Sequence, residues 1–186
     1  MDRREDLLRS ENRGWVDLRS LMDAVSPQEM LEPGLTAERW SVKDLLFHLG
    51  AWWAKAFVML ERVRVGTYDG KGEAATVDEL NERFLEEGRR LDLATVKAEL
   101  YSARNQALLG FGALPEVTPE AEEWFRESGP EHYEEHLDDL RVWVGTLTSA
   151  GRKTKEGQVP AVGLPTWNDA WASWAARSTR SITDTS

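Results

Sequence analysis

Hydrophobic positions along the chain recur mostly three, four or seven residues apart. Over residues 5–25, Leu7, Leu8, Trp15, Leu18, Leu21, Met22 and Val25 form one such stripe, the pattern of an amphipathic helix with a single buried face. Ser26-Pro27-Gln28-Glu29 stops it and has the form of a capping box opening a short turn. Pro33-Gly34 marks a loop. Ser41, with Asp44 at the reciprocal position, then caps a long second helix. Leu45, Leu46, His48, Leu49, Trp52, Trp53, Phe57, Leu60 and Val63 run along it to a C-cap near Gly66. Residues 66–75 contain Gly70 and Gly72 and predict an exposed loop.

Thr76-Val77-Asp78-Glu79 repeats the capping signature and opens a shorter helix to about Arg90. A further helix is predicted from about Thr95 to Leu109, ended by Gly110, Gly112 and Pro115. Thr118-Pro119 supplies an N-cap and a proline at the first helical position, ahead of a short turn carrying Trp124 and Phe125. Ser128-Gly129-Pro130 opens the last strong helix, which holds Tyr133, His136, Leu137, Leu140, Trp143, Val144 and Leu147 at helical spacing. No stretch alternates with period two, so no sheet is predicted. Four long helices with modest connections and short extra helices predict an all-α, four-helix-bundle domain over residues 1–150.

Residues 151–186 differ in character. They carry Arg152, Lys153, Lys155, Arg177 and Arg180 against Glu156, Asp169 and Asp184, a net +2 that leaves −12 on the rest of the chain. Trp167, Trp171 and Trp174 are four and three apart, which would put them on one face of a short helix.

Composition narrows the function. The 186 residues have 23 Lys and Arg against 33 Asp and Glu, a net charge of −10, which opposes binding to a phosphate backbone. No apolar run approaches the roughly 20 residues of a membrane span, and Met1-Asp2-Arg3-Arg4-Glu5-Asp6 lacks the apolar core of a signal peptide. The expectation is a cytoplasmic protein with neither nucleic-acid nor membrane partners. Cysteine is absent, which removes disulfides, thiolate ligands and a cysteine nucleophile together. Any thiol chemistry must use a thiol carried by another molecule.

Only three histidines are present, His48, His132 and His136, and all fall on inward helix faces. His132 and His136, four apart, emerge from one face a turn apart, the spacing two imidazoles need to share a metal ion. His48 lies on the apolar side of another long helix, where a bundle brings it opposite the pair. Three neutral imidazoles suit zinc, nickel, copper or iron and leave positions open for a water or a substrate. A histidine on an apolar face also packs as an ordinary core residue, and the HxxxH spacing arises without metal. The gathering of every histidine onto inward faces favours the metal.

Other residues carry weaker signals. Asp44, a turn before His48, and Asp139, nearly a turn after His136, are placed to orient a ligand imidazole, although Asp44 also serves the cap. Trp52 and Tyr133 either wall a pocket or simply pack the core. Glu134-Glu135 and Asp138-Asp139 read as the solvated side of their helix. Gly66, Gly70 and Gly72 follow no strand and do not form a phosphate loop.

Trp40-Ser41-Val42-Lys43-Asp44-Leu45-Leu46-Phe47-His48-Leu49 resembles the W-[ST]-x-x-D-x-x-x-H-L signature that opens the second helix of DinB-like proteins, the YfiT-like metal-dependent hydrolase superfamily. His132-Tyr133-Glu134-Glu135-His136 resembles that family's closing H-x-x-x-H helix. Val77-Asp78-Glu79-Leu80-Asn81-Glu82-Arg83-Phe84 is similar to a middle stretch of the branch that includes the N-terminal domains of mycothiol-dependent maleylpyruvate isomerases and the ClbS/DfsB-like group. The resemblance covers roughly residues 5–150. It implies a four-helix bundle binding a divalent metal, often nickel or zinc, through His48, His132 and His136, and commonly a homodimer. The function it implies is a metal-dependent transferase that joins a low-molecular-weight thiol of the mycothiol, bacillithiol or glutathione type to small electrophiles. A metal-dependent hydrolase detoxifying a reactive small molecule, and a non-catalytic metal-binding stress-response module, are the alternatives. The 36 residues after Ala150 are fewer than the additional domain of the isomerases needs.

Overall fold

The computed structural model describes residues 2–36, 39–70 and 75–149. These are all-helical, with no strand among the described residues. The six α-helices are α1 (Arg3–Asp23), α2 (Val42–Arg64), α3 (Val77–Arg89), α4 (Leu93–Gly112), α5 (Pro119–Ser128) and α6 (Pro130–Ser149), with a 3-10 turn at Glu29–Leu31. No described helix is long and apolar enough to cross a membrane. The tryptophan-bearing helix predicted at 167–174 lies outside the described residues.

Local chemistry starts each element where its backbone amides would otherwise go unpaired. Asp2 caps α1 by accepting from the Arg4 amide at 3.0 Å. Ser41 and Asp44 form a reciprocal capping box on α2, and Thr76 and Glu79 another on α3. The Ser26 and Glu29 side chains bond each other's backbone in the same manner ahead of the 3-10 turn. Thr118 caps α5, with Pro119 at its first position.

Helix α4 departs from expectation at both ends. It begins at Leu93 rather than Thr95, because Asp92 accepts the Thr95 amide at 2.8 Å and becomes the cap. It continues through Gly110, whose missing side chain lets the Phe57 ring of α2 come close: a Cβ there would sit 3.2 Å from that ring.

Burial then sorts the helices. From Val42 to Ala51 every residue of α2 is buried, so α2 is the central helix. It packs most extensively on α4 and also touches α3, α5 and the 3-10 turn, while α1 packs on α6. Gly50 makes the α2–α4 approach close, since a Cβ there would lie 3.1 Å from the Leu100 Cα. Leu18, Leu46, Trp53, Leu60, Leu100, Phe111, Phe125 and Leu140 fill the core. Within it, the Phe111 and Phe125 rings stack with centroids 4.0 Å apart.

One polar network crosses that core and joins all four long helices. Arg104 of α4 makes two bonds to the Glu11 carboxylate of α1, at 2.6 and 2.7 Å. Tyr133 of α6 donates its hydroxyl to Glu11 at 3.2 Å and accepts from Trp53 Nε1 of α2 at 2.8 Å. The Arg104 guanidinium also lies 4.3 Å above the Trp15 ring. Burial of a charge is costly unless it is paired and hydrogen-bonded, and here the bidentate pair satisfies both carboxylate oxygens.

Candidate metal centre

The three histidines come together. His48 projects from the middle of α2, His132 and His136 from the first two turns of α6. Their ring centroids are 4.7 Å (His48 to His132), 5.2 Å (His48 to His136) and 5.0 Å (His132 to His136) apart. One nitrogen from each ring lies within 4.8 Å of the other two. His48 and His132 are buried and His136 partly so, which places the accessible side of the cluster at His136.

Hydrogen bonding does not account for these rings. The Nε2 atoms of His48 and His132 are 2.8 Å apart, one donating to the other. Nδ1 of His48, Nδ1 of His132 and Nε2 of His136 are buried with no hydrogen-bond partner. Buried polar atoms are nearly always satisfied, and here two imidazole nitrogens face each other with a single proton between them while His136 Nε2 has no partner, so the cluster has room for an ion that takes one nitrogen from each ring. A divalent ion fits the donor set: three neutral nitrogens suit zinc or nickel, and nitrogens on one tetrahedral ion are about 3.3 Å apart, within small side-chain adjustments of the spacing here.

Electrostatics keeps the rings neutral. Burial, followed by His132 and His136, pushes His48 down to about 2. Burial and His136 push His132 down to about 3, against a smaller opposing effect of the Ser128 backbone. His136 is also lowered by burial, with Glu135 and Asp139 pulling the other way. Each ring is therefore neutral at neutral pH and keeps one nitrogen free of a proton, as metal ligation requires.

Asp44 lies within the cap rather than on a ligand. Its Oδ2 accepts from the Ser41 amide and hydroxyl, each at 2.8 Å. Its Oδ1 is buried without a hydrogen bond, 4.0 Å from Arg89 Nε. Asp139 is exposed and acts on His136 through its charge alone. Tyr133 is buried in the core network, and burial and the Glu11 carboxylate hold its hydroxyl well above its ordinary range. Trp52 does stand beside the cluster, with its ring 6.2 Å from His132.

Three neighbours escape the sequence reading. Trp40 meets His48 edge-on at 5.1 Å. Asn81 and Phe84 of α3 hold Trp52, through a 3.0 Å bond from its Nε1 to Asn81 and an edge-to-face contact at 5.8 Å. Trp40, Asp44, His48 and Trp52 are spaced four apart, a signal that could have marked Trp40. Nothing local marks Asn81 or Phe84. Comparisons with protein-family models, curated proteins and solved structures return no match.

Proposed function

We propose that the chain is a metal-dependent enzyme of the DinB-like, four-helix-bundle kind, holding zinc or nickel through His48, His132 and His136 and joining a low-molecular-weight thiol to small electrophiles. The observation that carries the metal is the convergence of three imidazoles from two helices, one nitrogen of each within 4.8 Å of the others. The absence of cysteine supports an external thiol, because the protein offers no thiol of its own to compete for the ion.

When bound, the ion supplies a Lewis acid that stabilises a sulfur as thiolate. The protein's contribution is to keep three imidazoles deprotonated in a dry setting and to leave the His136 side approachable. Trp40 and Trp52 stand against His48 and His132. Three protein ligands with open positions are the arrangement of a catalytic rather than a structural centre.

The test is elemental analysis of untagged protein purified without chelator or nickel resin, beside His48→Ala. It is followed by conjugation of glutathione, bacillithiol or mycothiol to 1-chloro-2,4-dinitrobenzene. The expected result is about one ion per chain, lost in the variant, and conjugation that requires both ion and thiol. Absence of metal after reconstitution with zinc and nickel overturns the reading. Turnover of an electrophile by water alone, without thiol, transfers it to metal-activated hydrolysis.

A further inference from the structure

Two tryptophans stand beside the triad, Trp40 against His48 at 5.1 Å and Trp52 against His132 at 6.2 Å. Both rings are partly exposed, as are Phe84 and His136. The Trp52 indole and the Trp40 main chain are each held in place. Trp52 is fixed by its bond to Asn81 and by the Phe84 edge, at 90° to its plane. The Trp40 carbonyl accepts from the Gly34 and Leu35 amides at 2.9 and 2.8 Å. Arg39, just before it, adopts a left-handed φ of 63°, a conformation unfavourable to a residue with a Cβ. Partly exposed indoles packed against a few convergent polar atoms have the composition of a small-molecule site.

Charge restricts what such a site takes. Glu135 and Asp139, both exposed, lie one residue before and three residues after His136 on α6. Their two negative charges, which already act on His136, oppose an anion approaching on that side. A carboxylate ligand therefore gains little there, and a flat uncharged ring gains the indole faces.

We propose that Trp40 and Trp52 form the recognition site for an uncharged substrate with a flat aromatic or conjugated portion, its reacting end toward the histidines. Only the reacting end rests on the metal-dependent reading above.

The test titrates 2-naphthalenemethanol and its anionic counterpart 2-naphthoate into zinc-treated and zinc-free protein by calorimetry, with zinc content measured in parallel. The alcohol should bind saturably and at least tenfold more tightly than the naphthoate. Trp40→Ala removes one ring, and Asn81→Ala frees Trp52 without removing it, so neither depends on Trp52→Ala folding. Each should weaken the alcohol about three- to tenfold, the size of one aromatic contact, at unchanged zinc content. Naphthoate binding as tightly as the alcohol, or unchanged binding in both variants, overturns the proposal and leaves the metal centre standing. A wild-type chain that takes up no zinc but still loses the alcohol in both variants supports the aromatic site and overturns the metal-dependent reading instead.

Discussion

Gly14 of α1 lies directly against the Tyr133 ring of α6, close enough that a Cβ at position 14 would stand 2.6 Å from Tyr133 Cδ2. A glycine inside a helix ordinarily costs about 1 kcal/mol relative to alanine. Here the sign reverses, because the ring cannot move without breaking its bonds to Glu11 and Trp53. Gly14→Ala should destabilise the protein by about 1–3 kcal/mol, the usual cost of overpacking, seen as a fall of several degrees in Tm. A stabilised variant would show that α1 and α6 can separate freely.

The Glu11–Arg104 pair gives a second expectation. Arg104→Met should cost about 3–5 kcal/mol, since it leaves a buried carboxylate without its partner. Adding Glu11→Leu to the same protein should restore much of the loss, because the strain lies in the unpaired charge rather than in lost packing. A double-mutant cycle in urea measures the difference, and additive losses would exclude this account.

Acid should unfold the metal-free protein in a defined direction. The folded state keeps His48 and His132 neutral down to about 2 and 3, whereas each takes up a proton near 6.5 in the unfolded chain. The unfolded state therefore binds more protons below that value, and stability falls as pH descends from 6.5 toward 3. At pH 5.5 the two rings together should cost about 3 kcal/mol relative to pH 8. Chemical denaturation of chelator-treated protein at the two pH values measures it. Replacing His48 with Gln should shrink the dependence.

Metal removal should act through the same residues. Zinc should bind the folded triad and not the unfolded chain, so it should stabilise the fold with the logarithm of its concentration above Kd, by about 2.7 kcal/mol at a hundredfold excess, read as a rise in Tm. That stabilisation should vanish in His132→Ala. A zinc-dependent Tm that survives in His132→Ala would place the ion elsewhere.

Much of this organisation was legible before any coordinates. Ser41, Thr76 and Thr118 announce their helices because capping is a contact between residues two to four apart, and such contacts are written in order along the chain. The histidine pair on α6 is legible for the same reason, its spacing being one helical turn. His48 joining that pair was readable only as an inward-facing residue, since α2 and α6 meet through the packing of the whole. Tyr133 illustrates the limit. As a neighbour of His132 it reads either as a pocket wall or as core packing, and the core wins because a single step along a helix rotates a side chain by about 100°, which turns it to Glu11 and Trp53. The Asn81 bond to Trp52 spans 29 residues and has no local trace. Gly110 misleads because a helix terminator and a point of close approach share one residue type.

The consecutive positions of His132 and Tyr133 couple two things usually kept apart. The first turns of α6 grip the histidine cluster with one side chain and the four-helix polar network with the next. Fraying of that segment cannot release an ion without also uncovering the Glu11 carboxylate, and loosening of the core cannot begin there without opening the triad. With an ion bound to the triad, the amides of residues 132–137 would become a gauge of occupancy: their hydrogen exchange should slow on metal loading as one cooperative unit, together with those around Trp53.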